Sequence, residues 1–164
     1  MDGTATPMNA YTVLKFIHIV GSTILFGTGL GTAFFMWMSH RSGNIAAIAA
    51  AARITVRADW FFTTPAVIVQ PLSGAGLMWL AGYPFATPWL FLAILLYLLA
   101  GACWLPVVAL QLRMRDLSAE AARSGSSLPA AYYRSARWWF ALGWPAFIAV
   151  LATFWLMIAK PQLW

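Results

Sequence analysis

The stretch "LKFIHIVGSTILFGTGLGTAFFMWMSHR" fills residues 14–41 and decides the fold. Charge appears only at its two ends, as Lys15 and Arg41. Everything between is apolar, small or weakly polar, for longer than the roughly 20 residues that a helix needs to cross a bilayer. The run extends to about residues 11–38, and three more stretches meet the same requirement: 60–81, 88–112 and 138–159. The chain has 164 residues, of which 62% are hydrophobic and 9% charged. An average soluble domain is about a quarter charged, and a chain this short cannot hide so much apolar surface in one water-filled setting. The expectation is one all-α domain: an integral membrane four-helix bundle, its partner the lipid bilayer itself.

Charge placement gives the orientation. Arg41, Arg53 and Arg57 follow the first apolar run, and Arg113, Arg115, Arg123, Arg134 and Arg137 separate the third from the fourth. The connection "GYPFATP" between the second and third runs has none. Lys and Arg accumulate in cytoplasmic loops, so both arginine-rich loops are expected inside and both termini outside. The formal net charge of +6 is read this way, and not as a nucleic-acid surface, because no aromatic residues are interleaved with these arginines. Residues 1–10 carry Asp2 and no basic residue, so the first run is expected to remain as a helix and not to be cleaved as a signal.

Local signals refine the picture. Asn44 is placed to cap a short alanine-rich helix before the second span. The third helix is expected to continue through "RMRDLSAEAARSG", and Ser127 with Pro129 marks a helix start ahead of the fourth span. Pro65, Pro71, Pro106 and Pro145 fall within spans and predict kinks, with Thr63, Thr64 and Ser73 placed to satisfy freed carbonyls. Trp60, Trp138 and Trp139 are expected in an inner aromatic belt and Trp79, Trp89 and Trp164 in an outer one, while Trp104 and Trp144 are expected to face the interior. Cys103, the one cysteine, reads as a buried packing residue.

Ionisable residues inside a membrane helix are functional candidates. His18 is the first of these. At about 100° per residue, Lys15, Gly21, Ser22, Leu25 and Gly29 share its face. An imidazole can ligate haem iron, and glycine lets a flat ring lie against a helix. The candidate site is therefore His18 as iron ligand with Lys15, Gly21 and Gly29 around it, and haem b as the cofactor. A histidine bonded to a neighbouring helix is the plainer alternative. His40 stands 22 residues further on, about 33 Å along a helix, and reads as an interfacial anchor. Met78, Met157, Lys15 and Lys160 are the other candidate axial partners. Gly27 and Gly31 form a small-xxx-small pair suited to close packing against another helix or a ring. Gln70 and Gln111 read as interhelical hydrogen-bonders. Asp59, Asp116 and Glu120 are expected near the cytoplasmic surface and Asp2 in the tail, too few and too scattered for acid–base catalysis.

The segments "LKFIHIVGSTILFGTGLGTAFF", "PAVIVQPLSGAGLMWL", "GACWLPVVALQLRMRDL" and "LGWPAFIAVLATFWLMIAKP" resemble a bacterial family of predicted integral membrane proteins, domain of unknown function 2269. That resemblance implies a multi-pass inner-membrane protein without assigning an activity. The Lys15-x-x-His18 pattern, the glycine-rich first helix and His40 are more distantly similar to the HemJ-type protoporphyrinogen oxidases and the copper-resistance CopD membrane domains. In the former, the first histidine is associated with b-type haem, a role that would fall on His18. Their third-helix lysine has no counterpart here. Three functions follow as expectations: a haem-b redox protein, a non-catalytic accessory or assembly subunit packing against a partner membrane subunit or a second copy, and a small metal transporter. The third is the weakest, because no run of methionine or histidine lines one face and no acidic residue is expected in the interior.

Overall fold

The computed structural model describes residues 9–163; Asp2 and Trp164 lie outside them. The described chain is helical, with α1 at Ala10–Ser42, α2 at Ile45–Ala58, α3 at Thr64–Ala81, α4 at Pro88–Ser124 and α5 at Ala130–Ala159. A π-helical turn, Asp59–Thr63, joins α2 to α3, so residues 45–81 form one continuous rod. Four rods are therefore long and apolar enough to span a membrane. Those of 37 residues measure about 55 Å at ~1.5 Å per residue, against a hydrocarbon core of ~30 Å. The excess lies at the arginine-rich end. There α2, the end of α4 and the start of α5 continue as a helical extension, as "RMRDLSAEAARSG" and Pro129 predicted.

Each helix end has a local cause. The Asn9 side chain accepts from Thr12 N–H at 2.8 Å, and the Asn44 side chain from Ala47 N–H at 3.1 Å. Both cover amides that a helix start leaves unpaired. Gly82 and Gly125 end α3 and α4 at φ 68° and 64°, a left-handed conformation that costs a residue without a Cβ little.

The π turn has its cause in Pro65. Proline has no N–H, so the Phe61 carbonyl loses its partner four residues on. In the turn before it the register widens, and Thr64 N–H reaches back to Asp59 O. Pro71, Pro106 and Pro145 sit inside uninterrupted helices. The carbonyl that Pro71 frees, Val67 O, accepts from Tyr97 O–H of α4 at 2.6 Å. That bond corrects the expectation that α3's own hydroxyls do this work: Thr63 donates to the Asp59 carboxylate at 2.8 Å, and Ser73 donates to Val69 O at 2.7 Å.

Packing is up-and-down. α1 lies on α2 and α3, α2 on α4, and α4 on α5. Phe26 of α1 stacks on Phe147 of α5 at 5.1 Å and meets Phe154 at 5.5 Å, which closes the ring of helices. The larger core sits at the arginine-rich end, where Met36, Ile48, Met114, Tyr132 and Trp139 are buried together. A smaller one, with Trp89, Leu90, Ala93 and Leu156, closes the opposite end.

Expectations about four residues need correction. His40 is not a surface anchor. Its Nδ1–H donates to Met36 O at 2.7 Å, and the wholly buried Tyr132 donates its O–H to Nε2 at 2.8 Å. Trp89 and Trp139 are buried core residues, not belt residues, whereas Trp144 is exposed on the bundle's outer face. Trp60, Trp79 and Trp138 are exposed as a belt requires. Cys103 is buried, as expected.

Candidate functional site

Two polar clusters lie along the rod of residues 45–81. The first holds His18. α1 and α3 approach closely because both are glycine there: a Cβ on Gly21 would stand 3.5 Å from Gln70 Oε1, and a Cβ on Gly74 would stand 3.3 Å from His18 Cε1. Into that narrow seam His18 Nδ1 places itself 2.9 Å from Ser73 Oγ. With its amide turned to satisfy both ends, Gln70 donates to His18 Nδ1 at 3.0 Å and to His18 O at 3.1 Å, and accepts from Ser22 N–H at 2.9 Å. Either tautomer of the ring finds a partner at Nδ1. A protonated Nδ1 donates to Ser73, whose own proton goes to Val69 O. An unprotonated Nδ1 accepts from Gln70. Such bonds hold membrane helices together where the hydrophobic effect cannot.

The site assembled from sequence is only partly brought together. His18 faces the bundle, but Lys15 does not join it: Lys15 is exposed, its Nζ 6.0 Å from the centre of the Tyr11 ring. Gly21 is filled by Gln70, and Gly29, like Gly27 and Gly31, has nothing within 4 Å of where a Cβ would be. Beyond Gly21, the glycines of α1 thus meet none of the chain's other helices. The close packing expected of Gly27 and Gly31 falls instead to Gly74 and Gly76 of α3, where a Cβ on Gly76 would be 3.1 Å from Leu14 Cδ1.

A haem does not fit inside this bundle. The groove beside His18 is occupied by Gln70 and Ser73, and two cavities along the bundle measure about 100 and 40 Å³. A porphyrin is several times larger. Met78 and Met157 pack against the Trp89–Leu156 cluster, and Lys160 lies over the Tyr83 and Trp89 rings. No group of three His, Cys, Asp or Glu that could hold a metal ion occurs among the described residues.

The second cluster centres on Asp59, which sequence reading left near the surface. It is 6% exposed. One carboxylate oxygen accepts from Thr63 O–H at 2.8 Å; the other, Oδ2, is buried without a hydrogen-bond partner. Trp104 and Gln111 of α4 stand beside the carboxylate, and the indole Nε1–H of Trp104 is likewise buried and unpartnered. These groups line the cavity of about 100 Å³, together with Val56, Trp60, Thr64, Val108 and Leu112. Among the described residues no basic side chain pairs with Asp59; the ion pairs are Arg115–Asp116 and Arg123–Glu120.

The two clusters are connected by one helix face. Asp59, Thr63, Ala66, Gln70 and Ser73 are all buried. They recur at steps of four, three, four and three residues, the spacing that keeps side chains on one side of a helix. The smaller cavity, lined by Ser22, Gln70, Tyr97 and Thr153 among others, lies along the same face. In sequence this face was recoverable as D-x₃-T-x₂-A-x₃-Q-x₂-S, a polar seam in an apolar helix.

A family described as predicted integral membrane protein (DUF2269) matches residues 12–161. No curated protein and no solved structure matches the chain. The four spanning rods agree with the family's description, and the match takes in nearly the whole bundle, both polar clusters included. The chain is a member of the DUF2269 family of integral membrane proteins.

Proposed function

We propose that this protein transfers protons across the membrane along the polar face of α3. One observation carries the reading: a spanning rod holds a buried carboxylate, Asp59, with Trp104 and Gln111 of α4 beside it and no basic side chain paired with it among the described residues. Ionisable groups inside membrane helices are costly, and proton relays are a principal reason for their presence. Thr63 bonds the carboxylate, and Gln70, Ser73 and His18 continue the face toward the far end. Lys15 is exposed one turn beyond His18. By the charge bias of the loops, Asp59 exchanges protons with the cytoplasm and the His18 end with the opposite side. Ala66 is the dry step, and the 40 Å³ cavity beside Gln70 has room for about one water at ~30 Å³ each.

The purified protein in liposomes that hold a pH-sensitive dye, driven by a potassium diffusion potential, tests the reading. Wild-type protein should acidify the lumen faster than protein-free liposomes, and Asp59→Asn should abolish the difference. Equal rates for wild-type and empty liposomes overturn the proposal.

A haem b on His18 is the competing reading. Nε2 of His18 has no hydrogen-bond partner among the described residues, which favours it, although the ring would have to lie outside the bundle. An absorption spectrum decides: a Soret band lost in His18→Ala and kept in His40→Ala would establish haem. A bundle with neither flux nor Soret band returns the function to an accessory subunit, with the open Gly27–Gly31 face of α1 toward its partner.

A further inference from the structure

We infer that the groove between the π turn and α4 seats one acyl chain of an anionic phospholipid, whose phosphate is bound by Arg53, Arg57 and Arg115. The groove has a volume of about 100 Å³, and its surface is almost wholly apolar, from Val56, Trp60, Val108, Leu112 and Trp104. The unbonded oxygen of Asp59 and the indole nitrogen of Trp104 are buried behind that surface. Hydrocarbon is therefore what the groove accepts, and it offers a water or an ion almost nothing to bond. On the rod its lining runs from Val56 to Thr64, and on α4 from Trp104 to Leu112. Each is eight residues, about 12 Å at ~1.5 Å per residue. One leaflet of the ~30 Å hydrocarbon core is about 15 Å deep, so the groove matches most of a chain's length. It lies at the bundle's lipid-facing side, where Trp60 and Phe61 are exposed.

Both walls carry arginine at the same end. Arg53, Arg57, Trp60 and Thr64 recur at steps of four, three and four residues, and Trp104, Val108, Leu112 and Arg115 at four, four and three. Those spacings keep each set on one side of its helix. α2 packs on α4, so the arginines of both walls stand above one groove, at the membrane edge that exposed Trp60 marks. Arg53 and Arg57 are exposed and have no carboxylate partner among the described residues, whose ion pairs are Arg115–Asp116 and Arg123–Glu120. Arg115 meets Asp116 through Nε at 2.8 Å, which leaves its terminal N–H groups for a phosphate oxygen. Guanidinium forks suit phosphate, and their long stems bridge the step from apolar wall to headgroup. A zwitterionic lipid would bring its ammonium against the same arginines, so the site favours a headgroup of net negative charge.

Native mass spectrometry of the purified protein, with phosphatidylglycerol or phosphatidylcholine of identical chains added in detergent, tests the site. Wild type should retain one phosphatidylglycerol in preference to phosphatidylcholine. Arg53→Gln with Arg57→Gln should weaken that binding by about fivefold for each arginine removed, with the melting temperature near that of wild type because both positions are exposed. Arg134→Gln with Arg137→Gln makes the same change of charge at exposed positions of α5 and should leave the binding as it was. Val108→Trp keeps every arginine but fills the groove, and should also release the lipid. Equal retention of the two lipids, an equal loss in the α5 pair, or full affinity in Val108→Trp overturns the inference. None of these readouts depends on proton flux.

Discussion

Replacing Gly74 with leucine should cost far more stability than the same change at Gly31, although both are helix glycines with apolar surroundings. At Gly74 the first added atom already meets His18 Cε1 at 3.3 Å, so the rest of the side chain must displace the imidazole. Displacement breaks the bond to Ser73 at 2.9 Å and opens the Gln70 bridge. Overpacking of a tight contact costs about 1–3 kcal/mol. Each interhelical hydrogen bond lost in a membrane protein adds roughly 0.6 kcal/mol, and at most about 1.7. Gly74→Leu should therefore destabilise the bundle by about 2–4 kcal/mol. Gly31 has nothing within 4 Å of a Cβ. Leucine there meets no neighbour and gains up to about 1 kcal/mol of helix propensity, so the net change is zero or slightly stabilising. Equilibrium unfolding by SDS in mixed micelles, followed by circular dichroism, measures both. If Gly31→Leu is the damaging change and Gly74→Leu is silent, α1 packs through its other face, and the His18 seam described here is wrong.

Other consequences follow from single contacts. Tyr97→Phe leaves the Val67 carbonyl beside Pro71 without its donor; the loss should be about 0.5–2 kcal/mol in the same unfolding assay. Trp89→Ala removes a buried ring and should cost about 3–5 kcal/mol, whereas Trp79→Ala, at an exposed position, should change stability by less than about 0.5 kcal/mol in detergent. For orientation, a cysteine placed at Gly82 should react with an impermeant thiol reagent in intact cells and one placed at Gly125 should not; the opposite pattern reverses the assignment of sides.

The four spans were legible because a bilayer imposes length and apolarity, and the arginines marked their limits. So was the continuation of α4 and α5 beyond the membrane, from Gly125 and Pro129. What a single helix cannot reveal is which of its faces meets a neighbour. The glycines of α1 were conspicuous in sequence, yet three of them are open, and the closer approach is made by Gly74 and Gly76 in the less conspicuous "LSGAG". His18 was recognised as inward-facing, but Lys15, on the same side by rotation, lies one turn too near the helix end to be covered. Asp59 was misplaced for a similar reason. It follows Arg57 and precedes Trp60, the usual mark of a membrane edge, and only the coverage by α4 through Trp104 and Gln111 buries it. Trp89 and Trp139 were assigned to belts by position along the chain, whereas the direction each faces depends on α5 and α4 packing around them.

Proton flux through liposomes of wild-type and Asp59→Asn protein, compared at equal incorporation, bears most directly on the account. A wild-type flux that Asp59→Asn removes, with the variant still folded, is the predicted result. Wild-type flux that survives Asp59→Asn unchanged would contradict it, since a proton crossing this bundle would then have no need of the buried carboxylate.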